Sequence, residues 1–240
     1  MTTINVDRFE VPLYSVTDAA RILGVPRSKL VTWVDGYSHT RNDRATPRTV
    51  MGAPLVTAKA PKRRGYPRLP FVGIAEAYVL NAFRQAGVPM QRIRPSIDAL
   101  LTTVGPHALA SKALYTDGAE ILWDLAERSG PASDDRAVAK RLIIPRSGQY
   151  VFQEVVDRYL KQVSWGPDNF AEQIRLPQFE HANVIIDPRR SYGQPVFADS
   201  GVRLVDALGP IRAGESLEAV AEDYGVAIDQ LRVAADSLVA

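Results

Sequence analysis

The side chains best placed to do chemistry in this chain are cationic, and they are concentrated near its start. Arg27, Ser28, Lys29 and Thr32 fall together, and from Arg41 to Pro70 eight basic residues (Arg41, Arg44, Arg48, Lys59, Lys62, Arg63, Arg64, Arg68) meet a single acid, Asp43. An arginine can bond both acceptors on the major-groove edge of guanine, and serine or lysine can reach a base or a phosphate. A run of lysines and arginines neutralises phosphates and adds salt-dependent affinity without reading sequence. Residues 1–100 hold 15 Lys/Arg against 7 Asp/Glu, and residues 101–240 hold 14 against 20, so a net charge of +2 conceals a basic block followed by an acidic one. A polyanion is the natural partner of the first block, and the second is expected to do a different job.

Enzymatic chemistry finds few footholds. Cysteine is absent, which excludes disulfides, thiolate metal sites and cysteine nucleophiles. His39, His107 and His181 are far apart in sequence, none stands in an H-E-x-x-H arrangement, and neither a glycine-rich phosphate loop nor a nucleophile elbow occurs. Asp187, Asp199 and Asp206 could be read as a carboxylate cluster. Each also has a simpler role: Asp187 starts a turn before Pro188, Asp199 lies in a loop, and Asp206 is on an exposed helix position. The expectation is a non-enzymatic protein with no metal and no cofactor. With 240 residues, 46% apolar and 23% charged, the composition is that of a soluble globular chain. No apolar run is long enough for a membrane span, and Asp7 and Glu10 interrupt the N-terminus where a signal peptide would be apolar, so a cytoplasmic location is expected.

Periodicity supplies the elements that would position the cations. Thr17 to Leu23 is predicted helical, with Ala19, Ala20, Ile22 and Leu23 on one side and Asp18 in the first turn. Gly24 permits a tight turn, and Pro26 opens a second helix running to about Val34, in which Leu30, Val31, Trp33 and Val34 pack inward and Arg27, Ser28, Lys29 and Thr32 stay free. Two short helices joined in this way form a helix-turn-helix, whose second helix presents its first turn to the major groove. The stretch from Gly36 to Pro70, with a strand at Leu55 to Thr57 and a loop from Pro61 to Pro70, is read as a basic wing. Phe71 to Ala86 has strong helical spacing with Gly87 at its end. Pro89 opens a further helix through Ile93, Ile97, Leu100, Leu101 and Val104, which Pro95 is expected to kink or split.

Farther on, Asp117-Gly118 signals a β-hairpin within Ala113 to Leu125. A polar loop covers Arg128 to Arg136, strands are expected at Arg141 to Ile144, Val163 to Trp165 and Gln173 to Leu176, and a helix carries Val151 to Leu160. Val184 to Ile186 is a short strand. Ser216 caps a helix through Leu217, Val220, Ala221 and Tyr224; Gly225 ends it, and a last helix begins near Asp229. Residues 201–240 hold 3 basic residues against 7 acids. This second helix-turn-helix outline therefore favours a basic protein surface over DNA.

Two resemblances attach to these residues. The helix-turn-helix, the wing and "FVGIAEAYVLNAFRQAGVPMQRIRPSIDAL" from Phe71 to Leu100 look like the DNA-binding part of the MerR-type regulators. The segments "VIIDPRRSYGQPVF" and "AGESLEAVAEDYGVAIDQLRVA" resemble the DUF433 family of small helical modules. Joined, they look like a large, two-domain VapB-type antitoxin. The fold class expected is α+β, mostly helical: a winged helix-turn-helix over residues 1–105, an α+β scaffold or dimerisation segment over 106–180, and a three-helix toxin-binding module over 181–240. What the resemblance implies is binding to operator DNA and to a PIN-domain ribonuclease whose metal-bearing acidic cleft is occluded, with Arg189 and Arg190 as candidate plugs and a homodimer on an inverted repeat. The rival reading is a stand-alone regulator whose C-terminal unit senses a small ligand or assembles protomers.

Overall fold

The computed structural model describes residues 6–42, 47–87, 90–116, 155–156 and 158–237. Helix α1 (Val16–Leu23) begins where the Ser15 hydroxyl oxygen accepts the Asp18 N–H, and ends at Gly24, whose φ of 62° lets its own N–H turn back to the carbonyls of Ala20 and Arg21. Helix α2 (Arg27–Asp35) follows Pro26 and buries Leu30, Trp33 and Val34 against the apolar side of α1. These two helices are the expected helix-turn-helix, one residue longer at each outer end than periodicity suggests.

The wing departs from expectation. Strands β1 (Tyr37–Asn42) and β2 (Pro47–Gly52) form an antiparallel hairpin directly after α2, paired from Tyr37↔Gly52 to Asn42↔Pro47. Their polar, basic sequence has no apolar alternation to announce a strand. Conversely, the strand expected at Leu55 to Thr57 is not there. The N–H groups of Leu55 and Val56 both donate to the carbonyl of Trp33, at 2.8 and 3.2 Å, so this segment caps the end of α2 instead of joining a ladder. Its apolar residues are buried for that reason.

Helix α3 (Phe71–Gln85) is buried from Phe71 to Phe83 on every side. Gly73 is where the capping segment passes over it, and a Cβ there would run into the carbonyl oxygen of Thr57. Gly73→Ala is expected to destabilise the protein by about 1–3 kcal/mol, outweighing alanine's better helix propensity. Urea unfolding would check this, and a variant as stable as the parent would contradict it. Helix α4 (Met90–Val104) runs through Pro95 as one element, so of the expected kink or split the split does not occur. Pro95 lies early in the helix and removes a single hydrogen bond, which the remaining length absorbs.

The first arm of the hairpin expected within Ala113 to Leu125 is not a strand: residues 112–116 are helical, and the Thr116 hydroxyl donates to the Lys112 carbonyl one turn back. Pro89, the Asp117-Gly118 turn, the loop Arg128 to Arg136 and the strand Arg141 to Ile144 lie outside the described residues, as does most of the helix expected over Val151 to Leu160. Beyond them, β3 (Val163–Trp165), β4 (Ala171–Arg175), β5 (Val184–Ile186) and β6 (Val196–Phe197) form an antiparallel sheet in that order. Helices α5 (Leu204–Arg212), α6 (Leu217–Tyr224) and α7 (Ile228–Asp236) complete the chain, with Ser216 capping α6 and Gly225 ending it at φ 61° as expected. The fold class is α+β with an N-terminal helix-turn-helix.

The packing runs across the expected boundaries. The sheet spans residue 180, and buried side chains from Tyr14 to Ala234 belong to one continuous hydrophobic cluster. Polar ties reinforce it: Tyr14 Oη donates to the Gly193 carbonyl (2.9 Å), Gln178 Nε2 to the Ile22 carbonyl (2.6 Å), Tyr78 Oη to the Tyr159 carbonyl (3.1 Å), and Asn81 Nδ2 to the Leu23 carbonyl (3.2 Å). Burial in this core pushes the Tyr14 phenol far above its ordinary pKa, so it remains a donor throughout the working pH range. Among the described residues no helix is long and apolar enough to cross a membrane.

Candidate nucleic-acid interface

The first turn of α2 carries Arg27, Ser28 and Lys29 on its solvent side, all exposed, opposite the buried Leu30, Trp33 and Val34. Pro26 leaves the helix start without a side-chain cap; the Lys29 N–H bonds the Pro26 carbonyl at 2.9 Å, which leaves the N–H groups of Arg27 and Ser28 to face an anion. Arg27 Nε donates to Thr17 Oγ1 of α1 at 3.1 Å, which fixes the guanidinium across the turn. Thr32 is half-buried, and its hydroxyl donates to the Ser28 carbonyl at 3.0 Å, so it stiffens the helix more than it offers a free donor.

The wing cations divide into free and engaged groups. Lys62, Arg63 and Arg64 are exposed at the loop tip. Arg68 instead donates through Nη2 to Asp35 at 2.7 Å and through Nε to the Lys59 carbonyl, clamping the loop to the end of α2. Lys59 in turn pairs with Glu10 at 2.6 Å. Arg41 and Arg48 are register partners across the hairpin, and Arg44 lies outside the described residues. Arg94, on α4, was not singled out by the sequence. Its guanidinium lies 5.1 Å from the Tyr37 ring centre and Nη1 donates to the Ala53 carbonyl, so it braces the wing from behind.

Under the wing lies a polar cluster that periodicity alone hides. Glu76, with 4% of its side chain exposed, accepts from Thr57 N (2.5 Å), Thr57 Oγ1 (3.0 Å) and His107 Nδ1 (2.9 Å). A carboxylate only accepts, so His107 carries its proton on Nδ1. Glu76 and Thr57 both face this one ring nitrogen, whereas a catalytic triad needs nucleophile and orienting acid on opposite nitrogens. The cluster is a structural clamp: it joins the segment capping α2, the core helix α3 and the turn at His107, whose φ is 63°. The charge of Glu76 within an otherwise apolar helical run was the available sequence signal. Among the described residues no group of three or more His, Asp or Glu converges to hold a metal.

In the C-terminal half Arg189 and Arg190 are held by their own chain. Asp187, 3% exposed, accepts Arg189 N at 2.8 Å and both Nε and Nη2 of its guanidinium at 3.0 and 2.9 Å, and Arg189 Nη1 reaches Glu172 at 3.2 Å. Arg190 Nη1 donates to the Ala198 carbonyl at 2.9 Å. Asp187 therefore starts a turn, as expected, and its buried carboxylate also pairs with the half-exposed Arg189, an ion pair that the sequence reading did not foresee. The turn above it places Ser191, Tyr192 and Gly193 at φ 46°, 53° and 76°, and leaves Tyr192 60% exposed. Asp206 pairs with Arg203 at 2.6 Å.

Asp199 joins α7 to the sheet by accepting Gln230 Nε2 at 2.7 Å and Asn183 Nδ2 at 3.2 Å, and these two bonds hold its carboxyl below the usual carboxylate range. A depressed folded-state pKa contributes stability above the unfolded value and loses it as pH falls through the folded one. Asp199→Asn is therefore expected to lose less of its melting temperature than the parent between about pH 6 and about pH 3. Superimposable pH profiles of the two proteins would contradict that.

Comparison with known proteins places this geometry. A family model described as "Putative DNA-binding HTH domain" matches residues 12–97, which are α1, α2, the wing, α3 and the first part of α4. "Putative antitoxin VapB45" of Mycobacterium tuberculosis is 60% identical over 233 residues, covering 97% of this chain and 96% of that protein. "Uncharacterized protein Rv2308" of the same organism is 25% identical over 98% of this chain and 92% of its own length. The crystal structure of Rv2018 from Mycobacterium tuberculosis superimposes with a TM-score of 0.80 at 59% identity, covering 95% of this chain and 99% of that one. With such similarity along nearly its whole length, the chain belongs to the same family as the protein named "Putative antitoxin VapB45".

Proposed function

We propose that this protein is the antitoxin of a type II toxin–antitoxin pair, which represses its own operon through α2 and the wing and neutralises a PIN-domain ribonuclease through its C-terminal half. The observation that carries the DNA half is the exposed first turn of α2, with Arg27, Ser28 and Lys29 on the face opposite the core and a two-stranded wing beside it. The partner half is supported by the name of its 60%-identical relative. The N-terminal unit is read as working in the MerR manner and the three C-terminal helices as a DUF433-like module. A single helix-turn-helix reads one half-site, so a homodimer on an inverted repeat is the assembly that gives useful specificity.

The roles of the cations separate by experiment. Titrating the DNA upstream of the gene across a salt series, Arg27→Ala is expected to lower discrimination against point-substituted sites by about 1–3 kcal/mol. Arg63→Ala should weaken binding to all sequences alike and reduce the salt slope by about 1. Indistinguishable behaviour of the two variants would remove α2 as the recognition helix.

A further inference from the structure

A groove of about 220 Å³ runs between α1 of the helix-turn-helix and α5 of the C-terminal half. Its floor is apolar and built from the core, with Ile22, Phe179, Leu204 and Leu208 all less than 10% exposed, while Val205 on its wall is 60% exposed. Asp18, Arg21 and Arg212 form the rim. Asp18 is already satisfied, accepting the Ser15 hydroxyl at 2.6 Å and pairing with Arg21. Arg212, exposed in the last turn of α5, has no hydrogen bond or ion pair among the described residues. The groove therefore offers an apolar-floored socket beside one cation that has no ion-pair partner among the described residues.

Size decides what class of occupant fits. Sites for free organic ligands run to roughly 300–1,000 Å³, larger than this one, whereas one large apolar side chain is of the right order. Anchors of that kind, an aromatic or aliphatic residue set in a preformed pocket and ringed by polar contacts, carry most of the affinity at protein interfaces. We propose that this groove seats an anchoring side chain of the partner protein, a leucine- or phenylalanine-sized residue with a carboxylate next to it in the partner's chain that pairs with Arg212. The proposal rests on the partner reading above and deepens it by locating the contact. Because α1 forms one wall, the partner would touch the DNA-binding unit itself, a link that the exposed positions of the C-terminal helices alone would not provide.

Val205→Asp and Arg212→Glu test this in the full-length protein. Both positions are exposed, and an aspartate in the first turn of α5 is favoured by the helix dipole, so neither variant should unfold the chain. The probe is the purified product of the adjoining gene, titrated by calorimetry, with Val11→Asp, 40% exposed and outside the groove lining, as the control. Each groove variant is expected to bind at least ~10-fold more weakly while the control binds like the parent. If the parent binds and both groove variants match it, the partner sits elsewhere and the proposal is overturned. If Val205→Asp instead alters self-association by light scattering and leaves partner binding intact, the groove is a contact between copies of this chain, and the proposal is equally overturned. A parent protein that does not bind the adjoining product at all overturns the partner reading, and the occupant assigned to the groove with it.

Discussion

Replacing Glu76 by alanine is expected to destabilise the protein by about 3–5 kcal/mol, a large share of the roughly 5–15 kcal/mol that holds a domain of this kind together. The side chain is almost wholly buried and takes three donors, Thr57 N, Thr57 Oγ1 and His107 Nδ1. Alanine would take the acceptor from the Thr57 N–H, leave the Thr57 hydroxyl and His107 Nδ1 with only each other, and open a cavity in a helix buried from Phe71 to Phe83. Glu76→Gln keeps one carbonyl oxygen as an acceptor and should lose clearly less. Because Thr57 belongs to the segment that caps α2, the alanine variant should also bind DNA more weakly at temperatures well below its melting point. Denaturant unfolding of the two variants measures the effect. A loss of under about 1 kcal/mol in Glu76→Ala would mean that the clamp is not what holds the wing to the core.

Deleting residues 1–105 has the larger structural consequence. The remaining chain is expected to lose cooperative unfolding altogether. Read from the sequence, the chain divides into three segments, over 1–105, 106–180 and 181–240. The packing argues otherwise. Deletion removes Tyr14, whose hydroxyl binds the Gly193 carbonyl beneath the turn at Tyr192, and Ile22, whose carbonyl accepts Gln178. It also strips α3 from β4 and exposes Ile174, Leu176 and Phe179, now buried. Exposure of so much apolar surface outweighs what the short sheet and three small helices contribute by themselves. A sharp thermal transition in the fragment near that of the whole protein would refute the single-core account. Point variants on the surface of α2 are therefore the sound way to separate DNA binding from partner binding.

What the sequence reveals and what it hides follow from the range of the interactions. Helices α1, α2, α3, α6 and α7 announce themselves because their signals are local: apolar residues three and four apart, Asp18 in a first turn, Ser216 as a cap, and glycines at 24 and 225 with positive φ. The hairpin β1–β2 has no such pattern, because its strands are polar and basic and carry no alternation of apolar residues. The segment at Leu55 looks like a strand because burial on a helix end and burial in a sheet demand the same apolar residues. For the interface, Arg27, Ser28, Lys29 and the loop tip at Lys62 to Arg64 are exposed as composition suggests. Arg68, Arg189 and Arg190 look equally available in one dimension, but their carboxylate and carbonyl partners are brought to them by contacts that no local pattern records. Glu76 and His107 are likewise 31 residues apart and meet only through the fold.

The central claim is that a single body carries both a DNA-reading helix and the surface that silences a ribonuclease. The most direct test is to co-purify the full-length chain with the product of its adjoining gene and to assay RNA cleavage by that product with and without the chain. The account predicts a stable complex in which cleavage is lost, and in which the groove variants, but not Arg27→Ala, restore it. Undiminished cleavage at saturating concentrations of the chain, with DNA binding intact, would contradict the antitoxin reading and leave a DNA-binding regulator.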